Sequence, residues 1–378
     1  MIRVLQVVNI MDRAGLETML MNYYRNIDRN KIQFDFLTHR SEKGAYDDEI
    51  FKLGGKVYHA PRLYPKNYSK YFKFMQDFFR QHPEYKIVHS HIDTMSTFPL
   101  YTAKKSDIPI RIAHSHSSKL DIDIKLPIKF LSKLFIPYFA NKYFACGKIA
   151  GEFLHKNRNF KIINNAIDLE KFKFDKKLRK LVRDKLNIKD ELVIGHVGRY
   201  CYVKNQSFLI DVFNEVLKIN PNSRLILIGK GPDEEMLRSK VNNLGLNNKV
   251  QFLIDRSDVN ELYQAMDIFV MPSLFEGVPV VSIEAQANGL PCIISDKVSN
   301  EVLLTNNVET IQLNANISEW AKTICSVKKG RNQNCCKELT EKGYNIEFES
   351  IKLQEIYYDM LEREISDVIN YSNYTNLQ

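Results

Sequence analysis

Short apolar runs of strand length alternate with amphipathic segments of helix length along the chain, and this rhythm constrains the fold more than any other feature. Strand-length runs fall at residues 4–8, 34–37, 87–88, 110–113, 143–145 and 161–163, with helix-length segments such as 16–26, 70–81 and 125–140 between them. Strands separated by helices pair in parallel, because a crossover of a dozen or more residues is needed to return the chain to the same end of a sheet. The rhythm restarts after Asn164-Asn165-Ala166-Ile167-Asp168, with runs at 192–197, 224–228, 250–253, 268–271 and 292–294 and helical segments at 206–218 and 234–244. At 378 residues the chain exceeds what one core usually serves. The expected fold is α/β, two Rossmann-like domains in series with parallel sheets, and a ligand is expected where the carboxyl ends of both sheets face one cleft. The domains span 1–165 and 166–347. A last helical pattern at 348–364 is expected to pack back on the N-terminal domain and to end in a frayed tail within 348–378.

Charge is unevenly divided. Residues 1–165 hold 27 Lys and Arg against 15 Asp and Glu, a net of +12, while residues 166–378 hold 27 against 30, a net of −3. A basic half of this kind suits nucleic acid, anionic lipid or a phosphorylated substrate. Nucleic acid is set aside, since no RNP, KH or zinc-finger pattern is present and a single Trp supplies no base-stacking platform. The six cysteines, Cys146, Cys201, Cys292, Cys325, Cys335 and Cys336, lack the CxxC or Cys/His spacing of a zinc or redox site and read as reduced thiols. The N-terminal apolar run is too brief for a signal peptide, and no run approaches the ~18 apolar residues that span a bilayer. A cytoplasmic protein is expected.

The segment IFVMPSLFEGVPVVSIEA carries the chemistry. Its strand ends at Pro272, a tight loop holds Glu276-Gly277, and Pro279 fits the first turn of a helix. Such a helix terminus offers backbone N–H groups and a positive dipole end, which suit a pyrophosphate. Glu276 and Glu284 lie on either side of it, in the loop and in the second helical turn. Carboxylates repel phosphate, so their expected targets are hydroxyls, a vicinal diol such as ribose in particular.

This pair matches the E-x7-E signature, and the chain resembles, over nearly its whole length, the retaining glycosyltransferases of family GT4, which have the GT-B fold. The resemblance implies that Glu284 binds the ribose of a nucleotide sugar and that Glu276 meets hydroxyls of its sugar, with Gly277 and Val278 in the same donor loop. Gly198-Arg199 followed by Lys204 resembles the family's diphosphate clamp. Two fixed cations there do the work a divalent metal does elsewhere. Gly229-Lys230-Gly231-Pro232 resembles the GxGP turn, in which Gly229 and Gly231 let the backbone approach the nucleotide. Ala14-Gly15 stands where the family has Gly-Gly beside the phosphates, and Asn165 in NNAID matches its NGxD interdomain turn, each with Ala in place of Gly. A functional histidine near the donor sugar corresponds to His116, with His114 the competing assignment in AHSHSS.

Three further patterns compete for attention. His89, His91, His114 and His116 end two strands and could suggest a metal site, but no Asp, Glu or Cys accompanies them in ligand spacing, so a cleft-lining role is expected. Asp121-Ile122-Asp123 forms DxD, the metal signature of the other major glycosyltransferase fold, yet it does not end a nucleotide-binding strand. The run 125–144 sets Lys125, Lys129 and Lys133 on one helical stripe among apolar residues, and the stretch 62–80 is also basic and aromatic. Both fit either a buried Rossmann helix or one lying in an anionic membrane interface.

The resemblance thus implies a retaining, metal-independent and cofactor-free glycosyltransferase, and the basic amphipathic stretches add an expected peripheral site at the inner face of the cell membrane. Its donor would be a nucleotide sugar, a UDP-sugar, and its acceptor a lipid-linked or other saccharide presented by the N-terminal domain in capsule or exopolysaccharide assembly. Arg199, Lys204, Glu276 and His116 form the expected catalytic set, and Gly15, Gly229, Gly231, Gly277, Val278 and Glu284 the expected substrate contacts. The alternatives are a GT-B nucleotide-sugar epimerase and a non-catalytic partner subunit; the intact Arg199, Lys204, Glu276 and Glu284 weigh against the latter.

Overall fold

A computed structural model describes residues 1–119, 126–327 and 330–375. The chain forms two compact units, one of Met1–Ala166 with Ile346–Gln378 and one of Ile167–Asn345. The first contains strands β1 (Ile2–Val8), β2 (Ile32–Thr38), β3 (Val57–His59), β4 (Tyr85–Ser90), β5 (Ile110–Ser115), β6 (Lys142–Ala145) and β7 (Lys161–Ile162). They form one parallel sheet in the order β3-β2-β1-β4-β5-β6-β7. The order reverses between β1 and β4, the point at which such sheets present a crevice at their carboxyl ends.

Helices α1 (Gly15–Asn26), α2 (Tyr68–Gln81) and α3 (Leu126–Phe139) belong to this unit. In α2 the residues Tyr71, Met75, Phe78 and Phe79 follow a helical spacing and are buried, so the basic aromatic stretch at 62–80 directs this face into the core. Helix α3 differs. It buries Ser132 and Ile136, while Phe130, Leu131, Leu134, Phe135 and Tyr138 are exposed. At 100° per residue these five fall within an arc of about 140° opposite the buried side. Lys125 and the DxD at 121–123 lie outside the described residues.

The C-terminal helix, Ile346–Thr375, returns to the first unit and buries Ile346, Leu353, Tyr357 and Met360 in the same core as Val4, Phe34 and Ile87. It is longer than its pattern at 348–364 and stays helical to Thr375, four residues into the SNYTNLQ tail (372–378) expected to fray; 376–378 lie outside the described residues.

The second unit contains β8 (Leu192–Val197), β9 (Ser223–Ile228), β10 (Val250–Leu253), β11 (Ile268–Met271), β12 (Cys292–Ser295) and β13 (Val308–Ile311), in the parallel order β10-β9-β8-β11-β12-β13. Here too the order reverses at one place, between β8 and β11. Every residue of β8, β11 and β12 is buried, as expected of strands covered by helices on both faces. Helices α4 (Gln206–Ile219) and α5 (Val280–Ala287) follow β8 and β11 respectively. Among the described residues no helix is long and apolar enough to cross a membrane.

Candidate active site

In the second unit the loops after β8 and β11 flank the reversal point, and a hydrogen-bond chain fixes both. His196 on β8 meets the Val270 carbonyl of β11 through Nδ1 at 2.9 Å, and its Nε2 lies 3.2 Å from the Gln206 amide nitrogen. Burial pushes the His196 pKa down to about 4, so the ring is neutral: Nδ1–H donates to Val270 and Nε2 accepts from Gln206. The same amide nitrogen donates to the Arg199 carbonyl at 2.9 Å, which anchors the backbone of an otherwise exposed arginine. The Arg199 guanidinium has no hydrogen bond or ion pair among the described residues. Asn205, at φ 55°, turns the chain into α4 and donates from Nδ2 to the Pro272 carbonyl at 3.1 Å, tying the Lys204 loop to the end of β11.

Lys204 and Glu276, expected to serve different parts of a ligand, are paired here. The Lys204 Nζ lies 2.6 Å from Glu276 Oε2, and Ser273 Oγ donates to Glu276 Oε1 at 2.5 Å. Pro279 is the residue before the first turn of α5 and not within it, and it supplies no side-chain cap. The α5 terminus therefore keeps backbone N–H groups for a ligand. Glu284, in the second turn, is buried and accepts from the Tyr263 hydroxyl at 3.0 Å. Burial pushes its pKa up to about 7, against the opposing pull of the Tyr263 hydroxyl and Lys171. His196, Gln206, Ser273 and Tyr263 carry no motif of their own, and only their position before or after the clamp and E-x7-E residues could have drawn attention to them.

The glycines divide into two kinds. A Cβ on Gly229 would fall 2.1 Å from the Gly198 carbonyl oxygen, and one on Gly231 equally close to that of Tyr200. Both are required by the packing of the 229–232 turn on the Gly198–Tyr200 loop, a role the sequence reading gave to nucleotide approach. Gly229 also has φ +147°, which L residues rarely adopt. Gly277 and Gly15 would meet nothing within 4 Å, so their Cβ positions face open space, while Val278 is buried.

In the first unit Gly15 opens α1 behind Ala14, whose φ −132° and ψ 173° any residue adopts, so Ala in place of Gly leaves this loop unstrained. A cavity of about 380 Å³ is lined by residues that include Arg40, Arg62, Asp93, His116, Lys119 and Lys129. His91 and His116 also line it, and with His89 and His114 they form a two-by-two array on β4, β5 and the turns that follow them. Residues two apart on a strand share a face, and the ring centroids of His89 and His91, and of His114 and His116, stand 4.1 Å apart. Across the strands His89 Nε2 lies 3.0 Å from His114 Nδ1, and His91 Nδ1 lies 2.9 Å from His116 Nε2. Both candidate histidines thus belong to one group. His114 is fully buried, and His116 is the one that lines the cavity.

Nitrogens of His89, His91 and His114 lie within 4.8 Å of one another, close enough for a metal. The His89 and His114 planes differ by 11° and their centroids are 5.1 Å apart, so these rings meet edge to edge. Their facing nitrogens lie 3.0 Å apart, at hydrogen-bonding distance.

A family model described as glycosyl transferases group 1 matches residues 179–346. The putative glycosyltransferase EpsF of Bacillus subtilis (strain 168) is 34% identical over 376 residues, covering 96% of this chain and 98% of that protein. The chain belongs to the glycosyl transferases group 1 family. An Escherichia coli enzyme, UDP-Gal:alpha-D-GlcNAc-diphosphoundecaprenol alpha-1,3-galactosyltransferase, is 26% identical over 297 residues, 74% of this chain and 76% of that one. Anabaena HepE, crystallised with UDP-glucose, matches with a TM-score of 0.72 at 18% identity, over 99% of this chain and 100% of that one. The fold is GT-B, and the protein is a glycosyltransferase. The part of this group 1 glycosyltransferase that the family model matches contains Arg199, Lys204, Glu276 and Glu284 together.

Proposed function

We propose that this glycosyltransferase moves a hexosyl group, with retention of configuration, from a UDP-sugar to a lipid-linked saccharide during assembly of a capsule, exopolysaccharide or similar cell-surface glycan. The observation that carries the reading is the gathering of Arg199, Lys204, Glu276 and the uncapped start of α5 at the ends of β8 and β11. The names of the E. coli relative and of the HepE complex support UDP as the nucleotide, and the former supports a lipid-linked acceptor.

In this reading the diphosphate meets the α5 N–H groups, Arg199 and Lys204, while Glu284 accepts hydrogen bonds from the ribose diol. The diphosphate draws Lys204 from its partner and frees a Glu276 oxygen for sugar hydroxyls. As the bond from the anomeric carbon to the phosphate oxygen breaks, charge grows on the leaving group, and cations fixed beforehand stabilise it most. The acceptor oxygen attacks from the leaving-group side, its proton passing to the departing phosphate oxygen, so no protein nucleophile and no metal is required. His116 takes a hydroxyl of the donor sugar.

The exposed face of α3 adds a location. Five apolar side chains over one arc, in a half of net charge +12, fit the interface of an anionic membrane on its cytoplasmic side. Purified protein, screened by thermal shift against nucleotide sugars and then assayed for hydrolysis in EDTA, tests the proposal. A UDP-hexose should stabilise it and release UDP. Activity lost in EDTA and restored by manganese, or epimer formation without an acceptor, would contradict it.

A further inference from the structure

Helix α3 is inside out. At 100° per residue Lys129 and Lys133 fall in one arc of about 100° with the buried Ser132 and Ile136, opposite the exposed Phe130, Leu131, Leu134, Phe135 and Tyr138. The contacts agree: Lys133 Nζ lies 3.9 Å from the Phe153 ring centroid, and Phe153 and Lys129 both line the cavity of the first unit. A surface helix usually does the reverse, burying its apolar stripe and leaving its lysines in water. Each half of the arrangement is unfavourable by itself, since apolar surface stays wet while an ammonium is partly withdrawn from solvent. Burial, and after it the nearby Lys156, lowers the Lys133 pKa, and Lys133 has no ion pair among the described residues.

The open side of that cavity is cationic. Arg40 and Arg62 line it and are exposed. The Arg40 guanidinium has no hydrogen bond or ion pair among the described residues, and Arg62 is paired with Glu42, a carboxylate that Arg40 feels at longer range. An exposed pair of this kind is weak and yields to a stronger anion. The carboxylate among the lining residues, Asp93, already accepts from the backbone N–H groups of His116 and Ser117 and from Ser117 Oγ, at 2.7, 3.3 and 2.8 Å. The buried side is different. His91 and His116 line it, and burial keeps both rings neutral, His116 with its pKa pushed down to about 3. Exposed cations above neutral imidazoles suit a ligand with an anionic group at one end and hydroxyls at the other.

We infer that the acceptor saccharide is joined to its lipid through phosphate, which Arg40 and Arg62 hold in the field of Lys133 while the lipid stays in the bilayer against the apolar face of α3. The inference rests on the proposed lipid-linked acceptor and names its linkage. One amphiphile relieves both halves of the inverted helix: the bilayer covers the rings, and the phosphate offsets the cations. A neutral glycolipid would bring the bilayer alone and leave the cations unmatched. The donor diphosphate is not this anion, since it is assigned to the second unit. Arg40, Arg62 and Lys133 bind the linkage and stay clear of the reacting bond.

Co-sedimentation of the full chain with two kinds of phosphatidylcholine vesicle tests this, in saturating UDP so that the diphosphate site of the second unit is filled. One kind carries farnesyl diphosphate, and the other carries enough phosphatidylserine to match its surface charge. Binding to the diphosphate lipid should be roughly tenfold tighter or more, the worth of about one charge-assisted hydrogen bond. Arg40→Gln with Arg62→Gln should remove that preference, and Lys133→Gln should reduce it by a smaller factor. Both arginines are exposed, so the double variant should unfold at the wild-type temperature. Equal binding to the two vesicles marks a merely basic surface and overturns the phosphate linkage alone. A preference that survives the loss of both arginines overturns the site, and no binding to either vesicle overturns the membrane-borne acceptor as well.

Discussion

The second unit equips the ends of β8 and β11 with formal charge: exposed Arg199, the Lys204–Glu276 pair and buried Glu284. The first unit equips the ends of β4 and β5 with four uncharged imidazoles whose pKa values burial drives down, His116 to about 3. The contrast matches two physical tasks. A departing diphosphate gains charge as its bond breaks and is stabilised by charge set in place beforehand, whereas a sugar presents neutral hydroxyls that need only donors and acceptors of the right sense.

Substitutions can break or sharpen this contrast. Arg199→Ala should lower kcat for UDP release by roughly 10²–10³-fold with little change in KM, as for loss of one transition-state donor. Glu284→Ala should act mainly on donor binding, raising KM by about 10- to 100-fold while kcat changes less. An Arg199→Ala effect confined to KM would place that residue with the binding groups and blur the division. For the exposed face of α3, Leu131→Glu with Phe135→Glu should weaken sedimentation with anionic vesicles by about tenfold. Release of UDP in solution should be unaffected.

The glycines give a smaller but sharper contrast within the second unit. Gly231→Ala forces a Cβ toward the Tyr200 carbonyl oxygen, 2.1 Å away in the native geometry, and should cost about 1–3 kcal/mol in thermal or urea unfolding. Gly277→Ala meets nothing within 4 Å and should leave stability intact while weakening UDP binding. The smallest effect is pH-dependent. Burial raises the Glu284 pKa from 4.5 to about 7, so between those values the native state holds a proton that the unfolded chain has lost. Stability from this group is full below about pH 4.5 and declines as pH rises through 7, a slope that Glu284→Gln should remove. Binding of UDP should follow the opposite course, strengthening as the carboxylate ionises.

Much of this was legible in the sequence. The buried runs of the central strands announced both sheets, but the three-residue β3 and the half-exposed β13 lack a continuous apolar run and escaped notice. Glu276, Glu284, Arg199 and Lys204 were found because their spacing is local to strand ends. What spacing could not convey was pairing across the fold. Lys204 binds Glu276 from 72 positions away, and Tyr357 reaches His89 across 268. The HSH and HSHI patterns showed only that two rings share a face. That β4 and β5 are neighbours in register, and that Tyr357 meets His89, follows from packing. Gly229 and Gly231 were likewise noticed for a motif and turned out to be needed by a neighbouring loop.

The most direct measurement is the release of UDP from a UDP-hexose in EDTA by the wild-type chain and by Arg199→Ala, with UDP binding to both followed by calorimetry. Wild type should turn over without metal, and Arg199→Ala should bind UDP within about tenfold of wild type while losing at least about 10²-fold in rate. Equal rates for the two proteins, or no binding of UDP to wild type, would contradict the assignment of the leaving group to the second unit.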